Sequence, residues 1–172
     1  MRFLNPFWFK LAPADLDFTR RAPARIEVAS LLQAPPDRVF EIFAKPEGMR
    51  DWIAGFVGCT WTSPEPHGVG STRELELNAI TFREHFIGWE PGRRFCFAID
   101  ATTMPLMRRM VEDIQLDPSG ANATLLRWTV HYEPRGLVQA IHPLARRLIG
   151  AGYRASAEGL SRYLLKDTAA SA

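Results

Sequence analysis

Apolar residues recur at every second position through most of the chain and at every third or fourth near its end, so the period itself separates strand from helix. Over residues 25–33, Ile26, Val28, Ser30 and Leu32 fall on one face and predict a strand. Ala34, Pro35, Pro36 and Asp37 stop it. Proline fits a first helical turn, where its missing N–H has no partner to lose, and Val39, Phe40 and Phe43 follow at helical spacing, which predicts a short helix over 36–44. Lys45 and Pro46 break that helix; Met49, Trp52 and Ile53 mark a second short one that Gly55 ends.

From there to about residue 133 the period is two. Val57, Cys59 and Trp61 alternate before a Pro/Gly turn, and Val69 to Leu77 alternates before Asn78 and Ala79. Ile80, Phe82 and Phe86 lead to Glu90, Pro91 and Gly92, and Phe95, Phe97 and Ile99 follow. Met110, Ile114 and Leu116 precede a turn at 117–120, and Leu126, Trp128, Val130 and Tyr132 close the series. Six strands after an isolated first one predict a seven-stranded antiparallel sheet. Beyond Gly136 the period lengthens, with Leu137, Ile141, Leu144, Leu148, Ala151, Ala155, Leu160 and Tyr163 near one helical face. This predicts a long helix, broken near Pro143 into a short and a longer piece and fraying from Asp167.

Composition narrows the class. The 172 residues suit one domain, and 47% hydrophobic with 23% charged residues is ordinary for a globular protein. The 21 basic and 19 acidic residues are scattered without a basic stripe, so no nucleic-acid partner is expected. Cys59 and Cys96 have neither disulfide-framework nor metal-ligand spacing; reduced thiols, no metal site and a cytoplasmic location are expected. No phosphate-binding glycine loop is found and no cofactor is expected. No apolar run approaches the roughly 20 residues of a membrane-spanning helix, and the aromatic start does not read as a secretory signal. Residues 1–24 are read as an N-terminal arm, packed on the domain, loosely ordered or touching a membrane surface peripherally; 25–167 form the domain and 168–172 a frayed tail. Oligomeric state is left open.

Local motifs point to a family. Residues 33–40, from Gln33 through Ala34, Pro35 and Pro36 to Val39 and Phe40, resemble the first strand-to-helix junction of the START-like, or SRPBCC, superfamily. Gly68 to Arg73 resembles the glycine-rich entry to its third strand, and Arg83 and Glu84 with Trp89 to Arg93 resemble its fourth strand and following turn. The resemblance spans about residues 25–166 and is nearest the polyketide cyclase/dehydrase-like subgroup. Asn78 and Ala79 depart from the Asp-Gly or Ser-Gly turn common in relatives. It implies an α+β helix-grip fold: a curved sheet of seven antiparallel strands around a long C-terminal helix, with two short helices after the first strand. It also implies an internal cavity for a hydrophobic small molecule, with the loop from Ala101 to Leu106 beside its mouth.

A polar side chain in phase with the inward apolar set must be paired, neutralised or hydrated. Arg73 is in phase with Leu75 and Leu77, Glu84 with Phe82 and Phe86, and Glu112 with Met110 and Ile114. These three are the candidate polar contacts, with Phe97, Met104, Leu106, Trp128, Tyr132, Leu144 and Leu148 as the candidate ligand-binding surface. The alternative is a structural ion pair at the sheet rim, or charges turned outward by a bulge. A glutamate in an apolar cavity is also a candidate general acid or base, which makes Glu84 and Glu112 candidate catalytic residues of a cofactor-independent cyclase or dehydratase. A third reading is a protein-interaction module using Phe3, Phe7, Trp8 and Phe9 of the arm. His85 and His131 alternate out of phase and are expected at the surface, His67 lies in a turn, and His142 precedes Pro143 as a cap or surface group.

Overall fold

The computed structural model describes residues 7–170, so Phe3 of the arm and residues 171–172 of the tail lie outside it. A short strand β1 (Phe9–Lys10) and a single turn α1 (Phe18–Arg21) come first. Then follow β2 (Ala24–Leu32), α2 (Pro36–Ala44), α3 (Met49–Trp52), β3 (Phe56–Trp61), β4 (Thr72–Leu77), β5 (Thr81–Glu90), β6 (Arg94–Thr102), β7 (Met107–Pro118) and β8 (Thr124–Pro134). The chain ends in α4 (Leu137–Ala140) and the long α5 (His142–Ala170). Proline is tolerated in the first turn of α2 and of α5, which is why the C-terminal helix breaks before Pro143. Helix α5 runs on past Asp167, where fraying was expected.

All strands pair antiparallel in the order β2-β8-β7-β6-β5-β4-β3. The sheet has an eighth strand that periodicity did not reveal: β1 pairs with the end of β6, Phe9 opposite Thr102 and Lys10 opposite Ala101. It occupies the side of β6 that β7 has left, since β6–β7 pairing stops at Ala98 and Val111. Two residues set no period, so no alternation could signal it. The following chain drops Phe18 onto Cys96, Ala98 and Val111, a second small core on the outer face of the sheet.

The main core lies between the sheet and α2, α3 and α5. Helix α5 is held close to α3 because Gly159 has no side chain: a Cβ there would lie 2.4 Å from the Trp52 carbonyl oxygen. The Ala54 N–H donates to Ser156 Oγ at 3.1 Å beside this crossing. Three expectations from periodicity fail locally. Val57 is exposed because a bulge between Phe56 and Gly58 shifts the phase of β3, and Val69 is exposed in the loop before β4. His131 is buried on the outer face rather than solvated, and burial lowers its pKa.

Candidate functional site

The register of β4 against β5 sets Arg73 directly opposite Glu84. Arg73 Nε donates to Glu84 Oε2 at 2.5 Å and Nη1 donates to the Phe43 carbonyl at 3.0 Å. Phe43 stands in the last turn of α2, where carbonyls lack helical partners, so the guanidinium also closes that helix end. The cation is ringed by Trp61, Phe86, Phe95 and Phe97 at 5.1–5.5 Å from their ring centres. Burial is the largest single influence and works against the Arg73 cation, but the charge and hydrogen bond of Glu84, with Cys59 and Glu112 adding, together hold the guanidinium above its ordinary value. Burial likewise pushes the Glu84 carboxyl up while Arg73 pulls it back. The pair is an internal ion pair, neither at the rim nor turned outward.

Beside it, between sheet and α5, lies a cavity of about 480 Å³ with a predominantly apolar wall. Met49, Trp52 and Ile53 close one side, Leu75, Leu77 and Phe82 another, and Ile149, Gly152 and Tyr153 of α5 the roof. The polar end is Glu112 of β7. Tyr153 O–H donates to its Oε1 at 2.6 Å and Trp128 Nε1–H to its Oε2 at 2.8 Å. Burial raises the Glu112 pKa to about 7, the neighbouring Glu84 carboxylate adds to the rise, and the two hydrogen bonds and Arg73 hold it from going higher. Tyr153 is raised well above its ordinary value by burial first and by Glu112 next, so it remains a donor. Near neutral pH this end of the cavity therefore offers either a carboxylic acid, with an O–H to donate, or a carboxylate.

Of the residues expected to form the site, Arg73, Phe97, Leu106, Glu112, Trp128 and Leu148 line this cavity. Glu84 does not; it is sealed behind Arg73. Tyr132 is fully buried elsewhere, its hydroxyl 2.8 Å from His142 Nε2, and that bond ties β8 to the start of α5. Met104 is exposed at the tip of the β6–β7 loop, which leaves Leu106 alone of that pair at the cavity. Leu144 is turned to solvent, because the inward face of α5 is Ala145, Ile149, Tyr153, Ser156, Ala157, Leu160 and Leu164; of the face chosen by period, Leu160 is buried, Tyr163 packs against the core and Leu148 reaches the cavity, while Leu137, Ile141 and Leu144 are exposed. That choice also hid Tyr153. The spacing 145, 149, 153, 156, 160 was the available signal, but Ala145, Tyr153 and Ser156 score below leucine and hide the stripe that Ile149 and Leu160 belong to.

Of the arm aromatics, Phe9 pairs in β1, Trp8 lies 4.0 Å under the Arg83 guanidinium and Phe7 is exposed. Among the described residues no three His, Cys, Asp or Glu side chains gather to hold a metal, and no helix is long and apolar enough to cross a membrane.

Comparison with known proteins agrees with this architecture. The sequence pattern of the polyketide cyclase/dehydrase and lipid transport family matches residues 23–165. An uncharacterized protein of Mycobacterium tuberculosis H37Rv is 32% identical over 151 residues, which cover 86% of this chain and 89% of that one. A START superfamily protein from Mycobacterium smegmatis superposes with a TM-score of 0.69 at 15% identity, covering 83% of this chain and 97% of that one. The Zhui aromatase/cyclase from Streptomyces sp. R1128 does so with a TM-score of 0.64 at 16% identity, over 84% and 92% of the two chains. At such identities the structural likeness is one of fold.

Proposed function

The chain belongs to the polyketide cyclase/dehydrase and lipid transport family, and we propose that it holds one uncharged, largely apolar small molecule, lipid- or polyketide-like, in the cavity under α5. The carrying observation is the charge balance at the polar end. Arg73 is neutralised by Glu84, and Glu112 adds either no charge or a negative one. A ligand anion there would sit beside two carboxyl groups in an apolar enclosure, whereas a carbonyl or hydroxyl oxygen can accept from the neutral Glu112. The volume falls within the roughly 300–1,000 Å³ typical of small-molecule sites. A cytoplasmic location is supported by Cys59 and Cys96 being free thiols.

The test is native mass spectrometry for a retained ligand, followed by titration with a long-chain alcohol and the matching fatty acid at alkaline pH. The alcohol should bind at least about tenfold more tightly. Equal or tighter binding of the acid would reject the reading.

A second reading, a cofactor-independent cyclase or dehydratase, is favoured by one observation. Glu112 faces the cavity with a pKa near 7, where one carboxyl can give or take a proton. Glu84, sealed by Arg73, has no such access in this arrangement. Turnover of an aromatic polyketide substrate that survives Glu112→Gln would remove this reading.

A further inference from the structure

From Pro134 to Ala157 the chain has no acidic residue, yet it carries Arg135, Arg146, Arg147 and Arg154. Over the same stretch Leu137, Ile141, Leu144 and Leu148 are between 45% and 74% exposed. Their spacing of four, three and four residues is that of one helical face. The break between α4 and α5 does not split the stripe, because the Ile141 N–H donates to the Leu137 carbonyl and the Ala145 N–H to the Ile141 carbonyl. The core needs none of these side chains, since α5 packs inward through Ala145, Ile149, Tyr153 and Ser156.

The arginines of this stretch have no carboxylate partner among the described residues. Arg83, Arg94, Arg108 and Arg127, like others in the protein, each have a carboxylate within salt-bridge distance. Among the described residues, Arg135, Arg146, Arg147 and Arg154 have none, as is also true of Arg50, Arg93, Arg109 and Arg162; what sets the stretch apart is that it holds four such arginines and no carboxylate. Arg147 and Arg154, seven residues apart, share one flank of the apolar stripe. Leu148 belongs both to the stripe and to the cavity wall, so the surface runs into the cavity's edge.

We propose that the α4–α5 surface docks on an anionic lipid bilayer, with Leu137, Ile141, Leu144 and Leu148 entering the acyl boundary and Arg147 and Arg154 on its flank meeting lipid phosphates. A helix that is apolar on one strip, basic beside it and free of carboxylates is the pattern that binds in the plane of a charged bilayer. Arginine suits this role because its stem lies along apolar surface while its guanidinium grips phosphate. A bilayer is favoured over a folded partner because the stripe lies on a convex helix and its flank is basic, with no carboxylate from residue 134 to 157 to pair with a protein's cations. The location differs from the N-terminal arm, whose Trp8 and Phe9 are engaged by the domain itself. Docked this way, the edge of the cavity faces the lipid.

The experiment is co-sedimentation with phosphatidylglycerol–phosphatidylcholine vesicles and with phosphatidylcholine vesicles alone, at low and high salt. The protein should partition onto the anionic vesicles, lose that binding at high salt, and bind the neutral ones far more weakly. Leu137→Asp with Leu144→Asp should cut partitioning by at least about tenfold, and Arg147→Glu with Arg154→Glu by a similar factor. Leu165→Asp, an equally exposed site farther along α5, should change nothing. All five substitutions are at exposed positions, and thermal unfolding checks that each variant folds. No preference for anionic vesicles, or undiminished binding by the Leu137/Leu144 variant, would overturn the proposal. So would self-association in the ultracentrifuge, abolished by that variant, in a protein that ignores vesicles. Ligand affinity in solution should be unaffected by the Leu137/Leu144 variant, which separates failure here from failure of the ligand reading.

Discussion

Two carboxyl groups on neighbouring parts of the same interior behave in opposite ways. Glu84 is locked to Arg73 at 2.5 Å and kept from the cavity, while Glu112 holds only neutral donors, Tyr153 and Trp128, and faces the cavity. Burial is nearly complete for both. The partner therefore decides the role: a guanidinium turns a buried carboxylate into framework, whereas hydroxyl and indole donors leave a carboxyl that exchanges its proton near neutral pH.

The largest expected effect breaks the framework side. Arg73→Met leaves Glu84 buried without its counter-charge and the end of α2 without its donor, and should cost about 3–5 kcal/mol of stability in urea unfolding. Adding Glu84→Leu to that variant should recover most of the loss, since a well-packed apolar pair needs no counter-charge. If the single variant loses less than about 1 kcal/mol, the pair is not the structural element described here.

On the titrating side, the folded-state value for Glu112 of about 7 exceeds the ordinary 4.5, so the native state keeps a proton that the unfolded chain releases. This contribution is complete below pH 4.5, is lost progressively as pH rises to about 7, and changes no further above that. The full difference is on the order of 3 kcal/mol. Glu112→Gln should flatten the pH dependence of unfolding over that window, and two parallel curves would show that Glu112 is not its source. The same substitution should make affinity for a neutral ligand independent of pH, where the unaltered protein weakens as Glu112 ionises.

The smallest effect tests the donors. Tyr153→Phe removes a hydrogen bond that stabilises the Glu112 carboxylate, so the Glu112 midpoint should move upward, by about one unit or less, at a cost of about 1 kcal/mol. Carboxyl-carbon NMR titration reads the midpoint directly. A downward shift would contradict the geometry.

Much of this contrast was legible in the chain. Alternation placed Arg73, Glu84 and Glu112 inward, because side-chain direction in a strand is a local property with a period of two. It did not say which carboxyl takes the arginine, since that depends on the β4–β5 register, which opposes residues 73 and 84. The Tyr153 contact joins residues 41 apart in sequence and no local signal announces it. On α5 the sequence holds two apolar stripes, and over residues 137–148 period alone favours the exposed one, because leucines outscore Ala145, Tyr153 and Ser156; nearer the end Leu160 belongs to the core as expected.

Taken by itself, the sequence determined the order and type of the elements from β2 onward, the proline-set starts of α2 and α5, and the family, all of which rest on patterns a few residues long. Tertiary structure decided which apolar face of α5 is core, which left Leu137 and Leu144 at the surface, and that two residues of the arm complete the sheet beside β6. It also decided that one buried glutamate is paired while the other titrates. These outcomes come from contacts between segments far apart in the chain, where the energy of a position is set by what the fold brings against it.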